Sequence, residues 1–96
     1  MNGLCKSETI PTTPDNEAHN YAERIRARLP RRLRELREAA GMSKHALART
    51  SGISREMIGR VERAKANPSL CVTAQLSHGI GMNLTELVSA LEVAEK

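Results

Sequence analysis

Aromatic residues are almost absent from this chain of 96 residues, which contains Tyr21 but neither Phe nor Trp. Sites that bind sugars, stack unpaired bases or enclose methylated lysine use aromatic rings, so the composition argues against all three kinds of site. A core without large rings has to be built from aliphatic side chains, which suits packed helices.

Long apolar runs are also absent. The sequence contains no run of eighteen apolar residues, so we expect no membrane span. Its first twenty residues lack a basic segment followed by an apolar one, so we expect no secretory signal and a cytoplasmic location. The two cysteines, Cys5 and Cys71, are then expected to be reduced thiols. Because no histidine or cysteine pair has metal-ligand spacing, we expect no metal and no cofactor.

Positive charge is abundant but confined to the middle of the chain. Residues 21–65 contain thirteen basic and five acidic residues, a net charge of +8, whereas the segments on either side each have a net charge of −2. A block of clustered arginine is typical of a protein that binds a polyanion such as nucleic acid. The alternative is a basic helix face that is simply solvated.

The beginning of the chain has few apolar residues. Residues 1–15 are expected to form a disordered tail and residues 16–96 one domain. Asp15 or Asn16 is predicted to start the first helix.

From Tyr21 to Ala40, apolar residues recur at steps of three or four, which predicts one face of a helix. Pro30 interrupts this pattern and removes a backbone hydrogen bond. The helix therefore either kinks at Pro30, or ends near Arg28 and is followed by a second helix that begins with Pro30.

Further helix boundaries are marked by serine and glycine. Ser43, Ser54 and Ser69 are predicted to cap the next three helices, Gly81 to end the third of them, and Thr85 to cap the last helix of the chain. The apolar stripe of the fourth helix is Leu70, Thr73, Leu76 and Ile80. No strand-like alternation of useful length occurs. The sequence therefore predicts an all-α fold, a compact bundle of five helices with an N-terminal extension.

Residues 43–63 have the spacing of two short helices joined by a tight turn. Gly52 is predicted to lie in the turn, because a left-handed conformation is favourable only without a Cβ atom, and Ala48 is small where the second helix crosses. The side chains predicted to face the shared core are Leu47, Ile58 and Val61. The outer face of residues 54–63 has no apolar side chain and suits a major groove. This outer face consists of Arg55, Glu56, Gly59, Arg60 and Arg63.

With this turn located, the chain resembles the lambda-repressor/Cro-like helix-turn-helix family over about residues 29–91. The residues that carry the resemblance are Leu33, Leu36, Arg37, Gly41, Met42, Ser43, Leu47, Ala48, Gly52, Ile53, Ser54, Ile58, Val61, Glu62, Asn67, Pro68, Ser69, Leu70, Leu76, Gly81, Leu84, Glu86 and Leu87. The resemblance implies a transcriptional regulator that binds double-stranded DNA, usually as a homodimer on a palindromic operator. It also implies a partly buried ion pair between Arg37 and Glu62.

Candidate DNA contacts follow from the same match. The positions implied to face base edges are Arg55, Glu56, Gly59 and Arg60. The alternative for Glu56 and Arg60 is an ordinary surface pair one helical turn apart. Helix N-termini and the loop after the recognition helix suit phosphates, and the candidate phosphate contacts are Ser43, Lys44, Ser54, Lys65 and Asn67.

The chain departs from the family pattern at several positions. The usual glycine after the recognition helix is Ala64 here, so that helix either runs further or ends under strain. In the fourth helix, Thr73, Ser77 and Gly79 replace apolar residues or alanine, and Gly79 weakens a helix interior. We therefore expect the fourth helix to pack less tightly than in the family.

The last helix carries the apolar stripe that we expect to meet a symmetry mate, namely Leu84, Leu87, Val88 and Leu91. The alternative is that this stripe only closes the core of the monomer. No glycine-rich phosphate loop and no nucleophile beside a base is visible, so we expect no enzymatic activity. The rival function is an antitoxin-type module that binds a protein partner and regulates its own operon.

Overall fold

The computed structural model describes residues 17–93, which form five helices in the order that the sequence predicts. These are α1 (Glu17–Ala39), α2 (Lys44–Ser51), α3 (Arg55–Glu62), α4 (Leu70–Ile80) and α5 (Leu84–Val93). No strand occurs in this part of the chain, and the predicted all-α class is confirmed. The predicted tail and the helix start at Asp15 or Asn16 lie outside the described residues. No helix between residues 17 and 93 has the length and hydropathy that a membrane span needs.

Helix α1 continues through Pro30 as one element, so the alternative of a first helix ending near Arg28 is wrong. Proline in a helix interior is unfavourable by about 3 kcal/mol because it removes a hydrogen bond and crowds the preceding turn. Leu29 and Leu33, on either side of the proline, are both buried in the same core. Burial of this stripe offsets the unfavourable proline and keeps the two halves of α1 together.

The core is entirely aliphatic and draws on every helix. Its buried residues are Leu29, Leu33, Leu47, Ile58, Val61, Leu76, Leu87 and Leu91. Helix α2 packs against α3 and α4, and α1 packs against α3 and α5. The prediction for Leu70 is wrong, because this first residue of α4 is 71% exposed instead of contributing to the core.

Polar side chains fix the N-termini of the helices. Ser43, Ser54 and Ser69 each accept a hydrogen bond from the backbone N–H three residues further on, so the three predicted serine caps are confirmed. Helix α5 differs from the prediction. Asn83 Oδ1 accepts from the N–H of Glu86 at 2.8 Å, and the Glu86 carboxylate accepts from the N–H of Asn83 at 2.9 Å. The residue that caps α5 is therefore Asn83, because this reciprocal pair satisfies two backbone donors, and Thr85 lies inside the helix.

Gly79 allows α4 to lie close against α2. A Cβ atom built on Gly79 would be 2.7 Å from the Cβ of Ser51 and 2.9 Å from Cδ1 of Leu47. The carbonyl of Gly79 also accepts a hydrogen bond from the hydroxyl of Thr50 at 2.9 Å. The expectation of looser packing is wrong at this position, because the glycine permits a close approach between the two helices.

We therefore expect Gly79→Ala to destabilise the protein, although alanine is the better helix former. Overpacking of a close contact typically lowers the free energy of unfolding by about 1–3 kcal/mol. The measurement is urea denaturation followed by circular dichroism. Gly59→Ala is the matched control, because an added Cβ there meets only the flexible end of Arg63. Equal stabilities for the two variants would contradict a packing role for Gly79.

Candidate nucleic-acid interface

The turn between α2 and α3 is fixed by hydrogen bonds from both sides. Gly52 ends α2 in the left-handed conformation, with φ 81°, and its N–H donates to the carbonyl of Ala48. The hydroxyl of Ser51 accepts from the N–H of Ile53 at 3.1 Å. Gln75 of α4 donates to the carbonyl of Ser51 at 3.2 Å. The angle at which α3 leaves the turn is therefore held by α4 as well as by the turn itself.

A buried ion pair ties α3 to α1. Arg37 Nε donates to one carboxylate oxygen of Glu62 at 2.7 Å, and Nη2 donates to the other at 3.0 Å. The remaining nitrogen, Nη1, donates to the carbonyl of Met42 at 2.9 Å. The two side chains are only 8% and 3% exposed. Hydrogen bonding to the Glu62 carboxylate raises the pKa of Arg37 above its ordinary value. The structure thus brings together the two residues that the family resemblance pairs.

Helix α3 ends under backbone strain. Ala64 has a φ of 60°, in the left-handed region that glycine favours. Its N–H donates to the carbonyl of Val61, and the N–H of Lys65 donates to the carbonyl of Arg60. These two bonds form the usual left-handed helix ending, with alanine in the place of glycine. The sequence left two possibilities for α3, a longer helix or a strained ending at Ala64. The structure shows the strained ending.

The arginines of α1 and α3 have different surroundings. Carboxylates on α1 itself pair with Arg26, Arg31, Arg32 and Arg34. On α3, Arg55, Glu56 and Arg60 are exposed, and no side-chain hydrogen bond or ion pair joins them to another residue of the described chain. Glu56 and Arg60 therefore do not form the surface ion pair that was the alternative to DNA contact. The guanidinium groups of α3 therefore remain available to an external anion.

A surface concavity of about 810 Å³ lies between the start of α2 and the outer face of α3. Two of the residues that line it, His45 and Arg63, are not among the candidate contacts. The other five are candidates, namely Ser43, Lys44, Arg55, Glu56 and Gly59. Arg60 and Ser54 are not in its lining. Lys65 and Asn67 line a separate depression of about 520 Å³ beside α1. Seven of the nine candidate contacts therefore fall into two groups on the surface, and Arg60 and Ser54 belong to neither.

Two residues of this concavity, His45 and Arg63, are missing from the candidates that the sequence suggests. The sequence places Arg63 on the outer face of α3 but assigns it no contact, and it gives no reason to single out His45. Arg63 could have been added to the candidates because it lies four residues after Gly59, and residues four apart are neighbours on a helix surface.

The candidate dimer residues of α5 are divided between the core and the surface. Leu87 is completely buried and Leu91 is 4% exposed, so both close the core of the monomer. Val88 is exposed and Leu84 is half-buried. Val88 lines an apolar groove of about 500 Å³ together with Tyr21 and Leu70, which belong to α1 and α4. Of the α5 stripe, the structure therefore buries Leu87 and Leu91 and leaves Val88 exposed on this groove.

Comparisons with known proteins agree with this architecture. A family model described as a helix-turn-helix domain matches residues 28–91. The chain is similar to a solved structure, the restriction-modification controller protein C.AhdI from Aeromonas hydrophila. The two share 39% sequence identity and a TM-score of 0.60, over 70% of this chain and 98% of that chain. No curated protein matches the sequence.

The buried pair makes a stability prediction. Glu62→Leu leaves the Arg37 charge buried without its partner and is expected to lower the free energy of unfolding by about 3–5 kcal/mol. The double variant Arg37→Met/Glu62→Leu should recover most of this loss, because no uncompensated charge remains. Urea denaturation of both variants measures the difference.

The exposed pair of Arg34 and Glu38 supplies the control. Arg34→Met should change the free energy of unfolding by less than about 1 kcal/mol, since exposed pairs contribute little. If the double variant at Arg37 and Glu62 were no more stable than Glu62→Leu alone, the pair would not act as a unit.

Proposed function

The chain belongs to the lambda-repressor/Cro-like helix-turn-helix family of DNA-binding transcriptional regulators, and we propose that it binds a palindromic operator as a homodimer with α3 in the major groove. The observation that carries this proposal is the contrast between the two arginine sets. Arg26, Arg31, Arg32 and Arg34 of α1 pair with carboxylates of the same helix, whereas Arg55 and Arg60 of α3 have no carboxylate partner in the described chain. A helix face with free guanidinium groups and no apolar side chain matches the base edges and phosphates of duplex DNA.

The regulated genes are proposed from the comparison. C.AhdI is a restriction-modification controller, and its chain is matched over 98% of its length at 39% identity. We propose that this chain likewise controls the genes of a restriction-modification system, and that it does so in the cytoplasm. Selection of bound sites from random duplexes would give the operator. A reporter gene placed behind that operator should change its expression when the chain is supplied, and an unchanged reporter would contradict the regulatory role.

Base reading and backbone anchoring are assigned to different helices. Arg55 is the first residue of α3, and its planar fork can make two hydrogen bonds to one guanine. Lys44 is the first residue of α2 and follows the cap Ser43, at a helix N-terminus that suits a phosphate. A flexible ammonium meets the same phosphate geometry whatever the base. Arg55 is therefore proposed to select the sequence and Lys44 to hold the DNA strand.

We expect Arg55→Ala to flatten the preference at one base position in each half-site, because a bidentate contact provides about 1–3 kcal/mol of discrimination. Lys44→Ala should weaken cognate and random duplexes equally. The wild-type dimer, with roughly six to ten phosphate contacts, should lose about 10³–10⁵ in affinity between 50 and 200 mM salt. Lys44→Ala should reduce the salt slope by about 1 for each phosphate that the lysine no longer neutralises.

Fluorescence anisotropy on a panel of single-base operator variants measures both effects. If Arg55→Ala lowers the affinity for every duplex by the same factor, Arg55 contacts phosphate and does not read a base. A wild-type protein whose binding is insensitive to salt, or that prefers single strands, would contradict the proposed function as a whole.

The proposed dimer buries the apolar groove on α1, α4 and α5. Leu70 is 71% exposed, Tyr21 48% and Val88 39%, and all three line this groove. Removing apolar surface of this kind from water is favourable by about 25 cal/mol per Å². A second copy of the chain would cover the groove and place two recognition helices about one turn of DNA, roughly 34 Å, apart.

Val88→Glu is expected to convert the dimer to a monomer at micromolar concentration, because it places a charge in the proposed interface. The side chain of Val88 is already partly in water, so the fold should persist. Sedimentation measures the oligomeric state and circular dichroism the fold. Ser89→Glu is the control, since Ser89 is exposed on the same helix and does not line the groove. A Val88→Glu protein that remains dimeric would remove this groove from the interface.

A further inference from the structure

Arg63 follows the last residue of α3, and its side chain lies back along the helix over Gly59. A Cβ atom built on Gly59 would be 3.0 Å from Nη1 and 3.8 Å from Cζ of Arg63. The guanidinium group therefore occupies the space that a side chain at position 59 would take. It lines the same concavity as Arg55 and Lys44.

The spacing along α3 explains this geometry. Arg55, Gly59 and Arg63 are four residues apart, so they follow one another along a single stripe of the helix. Because Gly59 has no side chain, the Arg63 guanidinium reaches back toward the Arg55 end of that stripe. Two planar cations thus lie on one side of α3, one at its first residue and the other at its C-cap. Arg60 belongs to the neighbouring stripe and does not line the concavity.

Resting on the proposed function, we propose that Arg63 is the second base-reading residue of α3, that Gly59 seats its guanidinium, and that Arg60 contacts the phosphate backbone instead. Gly59 then contributes to recognition through the space it leaves, and not through a contact of its own.

The chemistry of Arg63 favours a base edge. No carboxylate in residues 17–93 pairs with its guanidinium, so its fork of donors is open to an external acceptor. The planar fork of a guanidinium is rigid in itself, so less side-chain freedom is lost for each hydrogen bond that it forms. Guanine presents two acceptors, O6 and N7, in one plane in the major groove, which matches this fork.

The test compares single variants on the same operator panel. Arg63→Ala should reduce discrimination by about 5- to 150-fold at one base position in each half-site, which corresponds to one bidentate contact. That position should differ from the one affected by Arg55→Ala. Arg63→Lys keeps the charge but not the fork, so it should retain binding to random duplexes and lose the same discrimination.

Arg60→Ala should weaken all duplexes by a common factor. Arg31→Ala is the matched control, because Arg31 is an 87% exposed arginine that pairs with Glu35 on α1. It removes the same charge and should leave base preference unchanged. Melting curves of all variants establish that each is folded.

Gly59→Ala tests the seating role separately. Alanine is the better helix former, so the variant should fold at least as well as the wild type. Its added methyl displaces the Arg63 guanidinium, so base preference should fall at the position read by Arg63. Combined with Arg63→Ala, it should cause no further decrease, because both changes remove the same interaction. Strictly additive decreases would mean that the methyl acts on the DNA itself, which would overturn the seating role.

The outcomes distinguish a failure of this inference from a failure of the proposed function. If the wild type binds duplex DNA selectively and Arg63→Ala shifts every operator variant equally, Arg63 is an anchor and the inference is wrong while the proposed function stands. If the wild type shows no selectivity among duplexes, the proposed function itself fails.

Discussion

The orientation of the recognition helix depends on the hydrogen-bonded ion pair between Arg37 and Glu62. Helix α3 has only eight residues, too few to be stable by itself in water, so its position must come from its neighbours. Ile58 and Val61 provide apolar contacts, but such contacts are not directional. The fork of Arg37 is directional, because it engages both oxygens of Glu62 and also the carbonyl of Met42. One side chain thereby joins α1, the loop after it and the end of α3.

Arginine has two roles in this chain, as a partner of glutamate and as an unpaired surface cation. The position of the nearest glutamate decides between them. On α1, Glu35 and Glu38 lie three or four residues from arginines and pair with them. On α3, one glutamate is buried against Arg37, and the other, Glu56, makes no pair with Arg60. Four arginines of α1 are therefore paired with glutamates of the same helix. On α3, Arg55 and Arg60 have no such partner in the described chain, so their guanidinium groups are open where shape also permits contact with DNA.

Local chemistry was sufficient to predict most of the fold. The three serine caps, the turn at Gly52 and the apolar stripes are all short-range patterns, and the caps and the turn are found where the sequence places them. Two of the errors concern contacts between distant parts of the chain, and the third concerns a capping pair only three residues apart. Gly79 is a poor helix former whose value lies in its contact with α2, and the exposure of Leu70 depends on how α4 packs against its neighbours. Asn83 competed with Thr85 for the same cap, and only the reciprocal bond with Glu86 decides between them.

The candidate site was predictable to a similar degree. Register along a helix identifies the outward residues of α3, but the direction of a long side chain such as Arg63 depends on the empty space above Gly59. The outward residues Arg55, Glu56 and Arg60 make no side-chain bond to the rest of the described chain, while the elements that support them lie on the opposite face. Substitutions on the outward face can therefore accumulate without unfolding the domain. A duplicated gene could drift toward a new operator through these positions alone, so two related regulators could become insulated from each other within one cell.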